Sequence, residues 1–379
     1  MLKNLDPITQ EIINIYNRIE LDLLIEIAKR FDVYDEIGGS LEWQIKKLEE
    51  LGSLNSDTVQ VIANHSTQTN KAIEEMLHKA GYANIELDTL KQAFNSGLIG
   101  VDPIALMASP TIRATIDLSY KSLGKTLKLI NTKALESAKQ AYMDVLNQSY
   151  IEVASGIYDY NKAITRALQR MAAKGITGAT YSRGGTTVQY SIEGTVRRDT
   201  LTAVHQLANK VSYQTVEELK AEYVEISSHL GARISLTNPI ANHAGWQGKV
   251  FKIHGFDEKY GNLKNNTGYP DDIQGLGGVN CRHRLFPFFP DISKPNPIQY
   301  DEKENAERYK LEQGQRAKER KIRQTQKQIA VAEAAGDDLT AHALKRKLKQ
   351  QRLDIIDYCN QHNLQRDFNR EMIYTEKGE

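Results

Sequence analysis

Between Ile8 and Phe31 the apolar residues Ile8, Ile12, Ile15, Ile19, Leu23, Ile27 and Phe31 return at three- and four-residue steps. That is the period of one face of an α-helix, so the chain opens with an amphipathic helix whose stripe needs other elements to cover it. Asp6 before Pro7 supplies a start signal: an N-cap, then a proline whose missing N–H costs nothing there. A helix is therefore predicted over 6–32. Gly38-Gly39 ends it, and Ser40 caps a second helix through Trp43, Ile45 and Leu48 to Leu51. A third is predicted over 56–80, ending at Gly81. The start signal returns at Asp102-Pro103 and at Ser109-Pro110, the latter opening a helical stretch towards Ala173. The first 50 residues carry eleven acidic and six basic side chains, a balance of −5 that disfavours DNA contact there.

Gly175 and Gly178 break the helical pattern. Thr180-Tyr181 and Thr186 to Tyr190, on either side of Arg183-Gly184-Gly185, read as a hairpin, because Gly-Gly supplies the positive φ of a tight turn. Helical spacing resumes from Gly194 through Val196, Leu201, Val204, Leu207 and Val211. Thr215, with Glu218 three residues later, has the form of a cap for a following helix. Val224 and Ile226 are strand-like, and 249–253 alternates as a second strand. Pro287, Pro290, Pro295 and Pro297 mark a linker. Beyond it, 301–334 and 338–360 are predicted to form two charged helices around Gly336-Asp337-Asp338, antiparallel because the turn is short. Ile322, Ile329, Leu339, Leu344, Leu348, Leu353 and Ile356 are the expected seam. From Arg316 to Arg352 eleven basic side chains face four acidic ones, a balance of +7 that can attract phosphate or an acidic protein surface.

A chain of 379 residues is long enough for two or three cores. No apolar run approaches a membrane span, and Met1 to Asp6 lacks an apolar signal core. Two cysteines are too few for a disulfide framework, so the expected setting is a reducing cytosol.

The window 223–290 gathers one of two tryptophans, one of two cysteines and four of nine histidines. It contains Ser227-Ser228-His229-Leu230-Gly231-Ala232-Arg233, then His243-Ala244-Gly245-Trp246-Gln247-Gly248-Lys249-Val250-Phe251. After the turn Gly275-Leu276-Gly277-Gly278 comes Asn280-Cys281-Arg282-His283-Arg284. In these three ordered patterns the chain resembles the phage minor capsid protein 2 family, within the Mu-F-like head morphogenesis group. The clear resemblance spans roughly 175–295, with a looser one through the charged tail to Phe368. It implies a virion component near the portal, with a structural and assembly role and no established catalytic residues.

The expected architecture is α+β and predominantly helical, in three segments. A helical N-terminal region covers 1–174, a small mixed α+β Mu-F-like domain 175–295, and a charged helical hairpin and tail 296–379. Portal and capsid proteins are the expected partners, with packaged DNA as a further one, no membrane, and assembly in the host cytoplasm.

Several chemistries compete for the same window. His229, His243, Cys281 and His283 are zinc-ligand types, but the paired short spacing of a strong zinc motif is missing. The expectation is instead no metal and no cofactor, with imidazoles and Arg233 donating to loop carbonyls while Trp246 and Cys281 pack as apolar groups. Cys281 with His243 or His283 has the residue types of a nucleophile and base, the site of a latent hydrolase or transferase. Against that, no helix N-terminus follows the cysteine to lower its pKa. Gly275 to Gly278 lacks the Gly-Lys-Ser/Thr ending and the following helix of a phosphate loop. Glu302-Lys303-Glu304 with Arg233 matches an ADP-ribosyltransferase tripeptide, yet acidic residues favour a helix N-terminus in any case. No catalytic residue is expected. The structural set is Ser227, His229, Arg233, His243, Trp246, Gln247, Gly248, Gly278, Asn280, Cys281, Arg282 and His283. The expected polyanion or partner contacts are Arg316, Arg320, Lys321, Arg323, Lys345, Arg346, Lys349 and Arg352.

Overall fold

The computed structural model describes residues 5–34, 41–83, 85, 87–183, 185–295 and 300–373. It is predominantly helical, with two small antiparallel sheets among the described residues. The first stripe folds as a short 3₁₀ turn, Asp6–Thr9, running into α1 (Gln10–Ala28). Asp6 does not cap it: Leu5 occupies the N-cap position with no side-chain bond, and the Asp6 carboxylate instead pairs with Arg282 at 2.8 Å. The Gly38-Gly39 stop and the Ser40 cap lie outside the described residues.

The second and third predicted helices are one, α2 (Leu41–Tyr82). Gly52 weakens a helix by about 1 kcal/mol relative to alanine but does not break it, and fully buried Leu54 anchors the join. Next come α3 (Leu87–Asn95) and α4 (Pro103–Leu106), the latter capped by Asp102 accepting from the Ile104 N–H at 2.9 Å. The helix opened by Ser109-Pro110 stops short of Ala173: α5 (Pro110–Ala154) ends, and α6 (Tyr160–Lys174) restarts under an Asp159 cap. The predicted hairpin forms from β1 (Thr177–Arg183) and β2 (Thr186–Ser191). Thr215 starts no new helix, since it lies inside α7 (Ile192–Glu218), where its carbonyl accepts from Leu219 N–H.

A three-stranded sheet follows, built from β3 (Tyr223–Ile226), β4 (Val250–Lys252) and β5 (Leu285–Phe288) in the order β4-β3-β5. The one-turn helices α8 (His243–Trp246) and α9 (Leu263–Thr267) lie in the connections. Pro287, read as part of a linker, sits within β5 opposite Val224. Because β5 is an edge strand, a residue with no N–H is tolerated there, and all four of its side chains are buried. The last helices are α10 (Glu302–Ala334) and α11 (Asp338–Gln361). Ile322 and Ile329 of the predicted seam are buried on α10, while on α11 the seam is rotated from the predicted one. Leu339 and Leu353 are exposed at 79% and 48%, while Ala341, Ile355 and Cys359 are buried.

The contacts group the chain into two compact units, each drawn from three stretches. One uses residues within 1–10, 71–125 and 198–312, the other residues within 11–70, 126–197 and 313–379. The sequential segments 1–174, 175–295 and 296–379 are therefore proposed as units of sequence, each shared between the compact units.

In the first unit, β3 and its neighbours cover a core of Val216, Val224, Ile226, Trp246, Phe251, Leu276, Cys281 and Leu285. In the second, Phe31, Trp43 and Tyr142 form an aromatic nucleus, with the Phe31 and Tyr142 rings 4.7 Å apart and the Tyr142 hydroxyl donating to Lys47 O at 2.7 Å. The second unit also encloses a charged group. Glu20 of α1 and Glu193 of α7 both lie 3.2 Å from the Lys327 ammonium of α10, and Arg323 lies 2.6 Å from Glu193. Arg323 and Lys327 are buried, so part of the +7 surface expected on the hairpin is spent inside the fold.

Candidate functional site

The site forms where the connections of the three-stranded sheet converge. β3 ends at Ile226, and the ladder continues through Ser227, whose N–H donates to Arg284 O at 2.8 Å while its Oγ accepts from Arg284 N–H at 2.9 Å. Cys281 and His283, two residues apart on an extended stretch, point to one side. Arg282 points away to Asp6 and so stands outside the cluster expected to contain it. The turn leading into this stretch is close-built. A Cβ on Gly278 would collide with Ile273 O, and one on Gly275 with Thr267 O, so both positions require glycine. Asn280 then takes a left-handed conformation (φ 59°), its N–H donating to Thr202 Oγ1 at 3.3 Å.

Three aromatic side chains surround His283, His229 stacked on it and the other two edge-on. The His229 ring lies 4.4 Å from it, Trp246 4.8 Å and His243 5.3 Å, centroid to centroid. The Sγ of Cys281 is 3.7 Å from His283 Nδ1. Gln247, just past α8, clamps this group. Its Oε1 accepts from His229 N–H and from His283 Nε2–H, each at 3.0 Å. His243 Nε2–H donates to Gln274 O at 2.8 Å, and Trp246 Nε1–H donates to Ile240 O at 2.9 Å. Arg233 holds the glycine turn by donating to Val279 O at 2.8 Å and Gln274 O at 3.2 Å. Gly248 N–H donates to Ile226 O, tying the segment after α8 back to β3.

Burial sets the protonation states. It pushes His283 well below the usual imidazole range, helped by the neighbouring imidazoles, lowers His243 to about 4 and also lowers His229. It also raises the Cys281 thiol. The cluster at neutral pH is thus three neutral rings and a protonated thiol, with His243, Cys281 and His283 buried and His229 half-buried. A thiol held protonated and buried is a poor nucleophile, and the pull of the Arg233 charge towards the thiolate is outweighed by burial. Arg233 is occupied with loop carbonyls, and the Glu302-Lys303-Glu304 tripeptide sits in the first turn of α10 under an Asp301 cap.

Two contributors escaped the sequence reading. Asn209, fully buried in α7, donates to His283 O and accepts from Leu285 N–H, both at 3.0 Å. Asn305, in the first turn of α10, accepts from Gly231 and Ala232 N–H and donates to Ala232 O. The available signal was an amide on the apolar face of α7, between Leu207 and Val211. Asn305 gave none, because polar residues are ordinary in a first turn.

Of the hairpin residues, Arg320, Lys321, Lys345, Arg346 and Lys349 are exposed, Arg316 and Arg352 half-buried. Arg323 departs from the expected docking set because it faces Glu193 inside the fold. Among the described residues no helix is long and apolar enough to cross a membrane.

A profile of the family described as Phage minor capsid protein 2 matches residues 3–360. A structural protein of Lactococcus phage LL-H is 25% identical over 351 residues, covering 89% of this chain and 90% of that protein. No solved structure matches the chain.

Proposed function

Because this chain belongs to the phage minor capsid protein 2 family, we propose that it works inside the phage head near the portal, as a structural part during head assembly. It is a structural protein of a phage virion. The observation that carries the reading is the length of the likeness, which runs through nearly the whole chain rather than through one module. Portal and capsid proteins are its proposed partners, and the host cytoplasm its proposed place of assembly. The buried network around His283 supports a holding role for the signature residues, since His243, Trp246 and Arg233 donate to loop carbonyls and Gln247 ties a backbone N–H to the His283 ring. We assign it no catalytic step. Gradient-purified heads examined by quantitative mass spectrometry test the reading. The protein is expected at low copy beside portal and the major capsid protein. Its absence from heads that contain portal would sink the proposal.

The exposed cations on α10 and α11 favour one further reading, contact with packaged DNA. A protein surface is the preferred partner, because buried pairing removes Arg323 and Lys327 from the charge and Glu333 holds Lys345 at 2.7 Å.

A further inference from the structure

We propose that His243, Cys281 and His283 are the ligands of a buried Zn²⁺ that locks the loops of the three-stranded sheet. Their ligand atoms all lie within 4.8 Å of one another, and all three side chains are buried. In a tetrahedral zinc site with bonds of about 2.0–2.1 Å to nitrogen and about 2.3 Å to sulfur, adjacent donor atoms stand roughly 3.5 Å apart. The Cys281 Sγ to His283 Nδ1 separation of 3.7 Å is already that edge. One thiolate with two imidazoles is a borderline-soft donor set, which suits zinc over magnesium or calcium.

The outer contacts have the polarity a metal site needs. His283 Nε2 faces Gln247 Oε1 and His243 Nε2 faces Gln274 O. Both partners are carbonyl oxygens and can only accept, so both Nε2 atoms carry the proton and both Nδ1 atoms carry the lone pair. A ring whose far N–H is held by a carbonyl is the usual state of a zinc-bound histidine. Gln247 cannot turn its amide over without losing the His229 N–H as well, which fixes the tautomer of His283. At Cys281 the backbone N–H groups of Gly277 and His283 are hydrogen-bonded to the sulfur. A bound cation would hold this sulfur as the thiolate. Three protein donors leave a tetrahedral ion one position for a small exogenous ligand.

The geometry also gives the ion a task. His243 enters from the start of α8 and the other two ligands from the segment after the glycine turn, so one ion would cross-link two connections that carry little strand pairing of their own. This is independent of where in the virion the protein resides.

The experiment uses the full chain, purified without a histidine tag. Elemental analysis is expected to find stoichiometric zinc in the wild type and in Cys359→Ala, and a loss of most of it in Cys281→Ala. Refolding with Co²⁺ in place of Zn²⁺ should give the thiolate-to-metal charge-transfer band and the intense visible bands of a tetrahedral site. That readout needs no variant, so it stands even if Cys281→Ala fails to fold. Wild-type protein with zinc at background and no Co²⁺ band would overturn the proposal. So would a folded Cys281→Ala that keeps its zinc.

Discussion

Trp246 shows how a single side chain can fix the loops of the sheet. Its indole is 3% exposed, lies against His243 and His283, and donates to Ile240 O. Removing it leaves both a cavity and an unsatisfied carbonyl. Trp246→Ala should lower unfolding stability by about 3–5 kcal/mol, whereas Trp246→Phe, which keeps an aromatic ring but no donor, should cost roughly 1–3 kcal/mol. Denaturant melts followed by circular dichroism compare the two, and equal losses would mean that packing contributes nothing beyond the hydrogen bond. Gly314 makes a different residue-scale point. Glycine inside a helix normally costs about 1 kcal/mol relative to alanine. At Gly314, however, a Cβ would run into the hydroxyl of Tyr358 on the facing helix. Gly314→Ala should therefore destabilise, by about 1–3 kcal/mol, and Tyr358→Phe in the same chain should recover part of the loss. A stabilised single variant would show that the Tyr358 ring swings aside freely.

At the scale of elements, α1, α7 and α10 are joined by buried charge rather than by apolar contact alone. Glu20 accepts from the N–H groups of Ile176 and Glu193 and shares Lys327 with the Glu193 carboxylate. Burial raises the Glu20 carboxyl, while Arg323, Lys327 and Arg197 overcome the burial of Glu193 and hold it down at about 2. With Glu193 depressed from an ordinary 4.5, its contribution is fully present above about 4.5 and is lost as the pH falls towards 2. Protonation of Glu20 runs the other way and partly offsets the loss. The stability gap between wild type and Glu193→Gln should thus be widest near neutral pH and close steadily below about pH 4.5. A gap that does not change with acidification would mean Glu193 is not ionised in the fold. Lys327→Met leaves two buried carboxylates facing each other and should cost about 3–5 kcal/mol.

On the whole molecule, the exposed cations Arg320, Lys321, Lys345, Arg346 and Lys349 face solvent. Reversing all five to glutamate should change the melting temperature little, since none is buried and the Lys345–Glu333 pair it breaks is exposed, but reduce incorporation into heads. If DNA were the partner, wild-type binding would fall steeply with salt, because each neutralised phosphate releases counterions. Unchanged incorporation together with salt-independent behaviour would remove the hairpin from assembly. Arg323 is excluded from this set, because its reversal would disrupt the Glu193 cluster and confuse folding with docking.

What the sequence determined by itself was everything encoded at short range. The 3.6-residue stripe set α1, the turn signal at Gly185 set the β1–β2 hairpin, and a period of two set β3 and β4, because each depends only on neighbours along the chain. The three-part signature likewise marked the residues that meet around His283. The rest depended on partners far away in sequence. Helix α2 runs through Gly52, and α7 runs through Thr215, because tertiary packing outweighs a weak local signal. The seam of α11 is rotated onto Ile355 and Cys359, since periodicity shows a stripe but not which edge its neighbour covers. Pro287 lies in a strand, because only the sheet order made β5 an edge. Arg323, Lys327, Asn209 and Asn305 are ordinary polar residues until a buried carboxylate or carbonyl comes against them. That pairing is a property of three-dimensional neighbours, and no window of sequence contains both members.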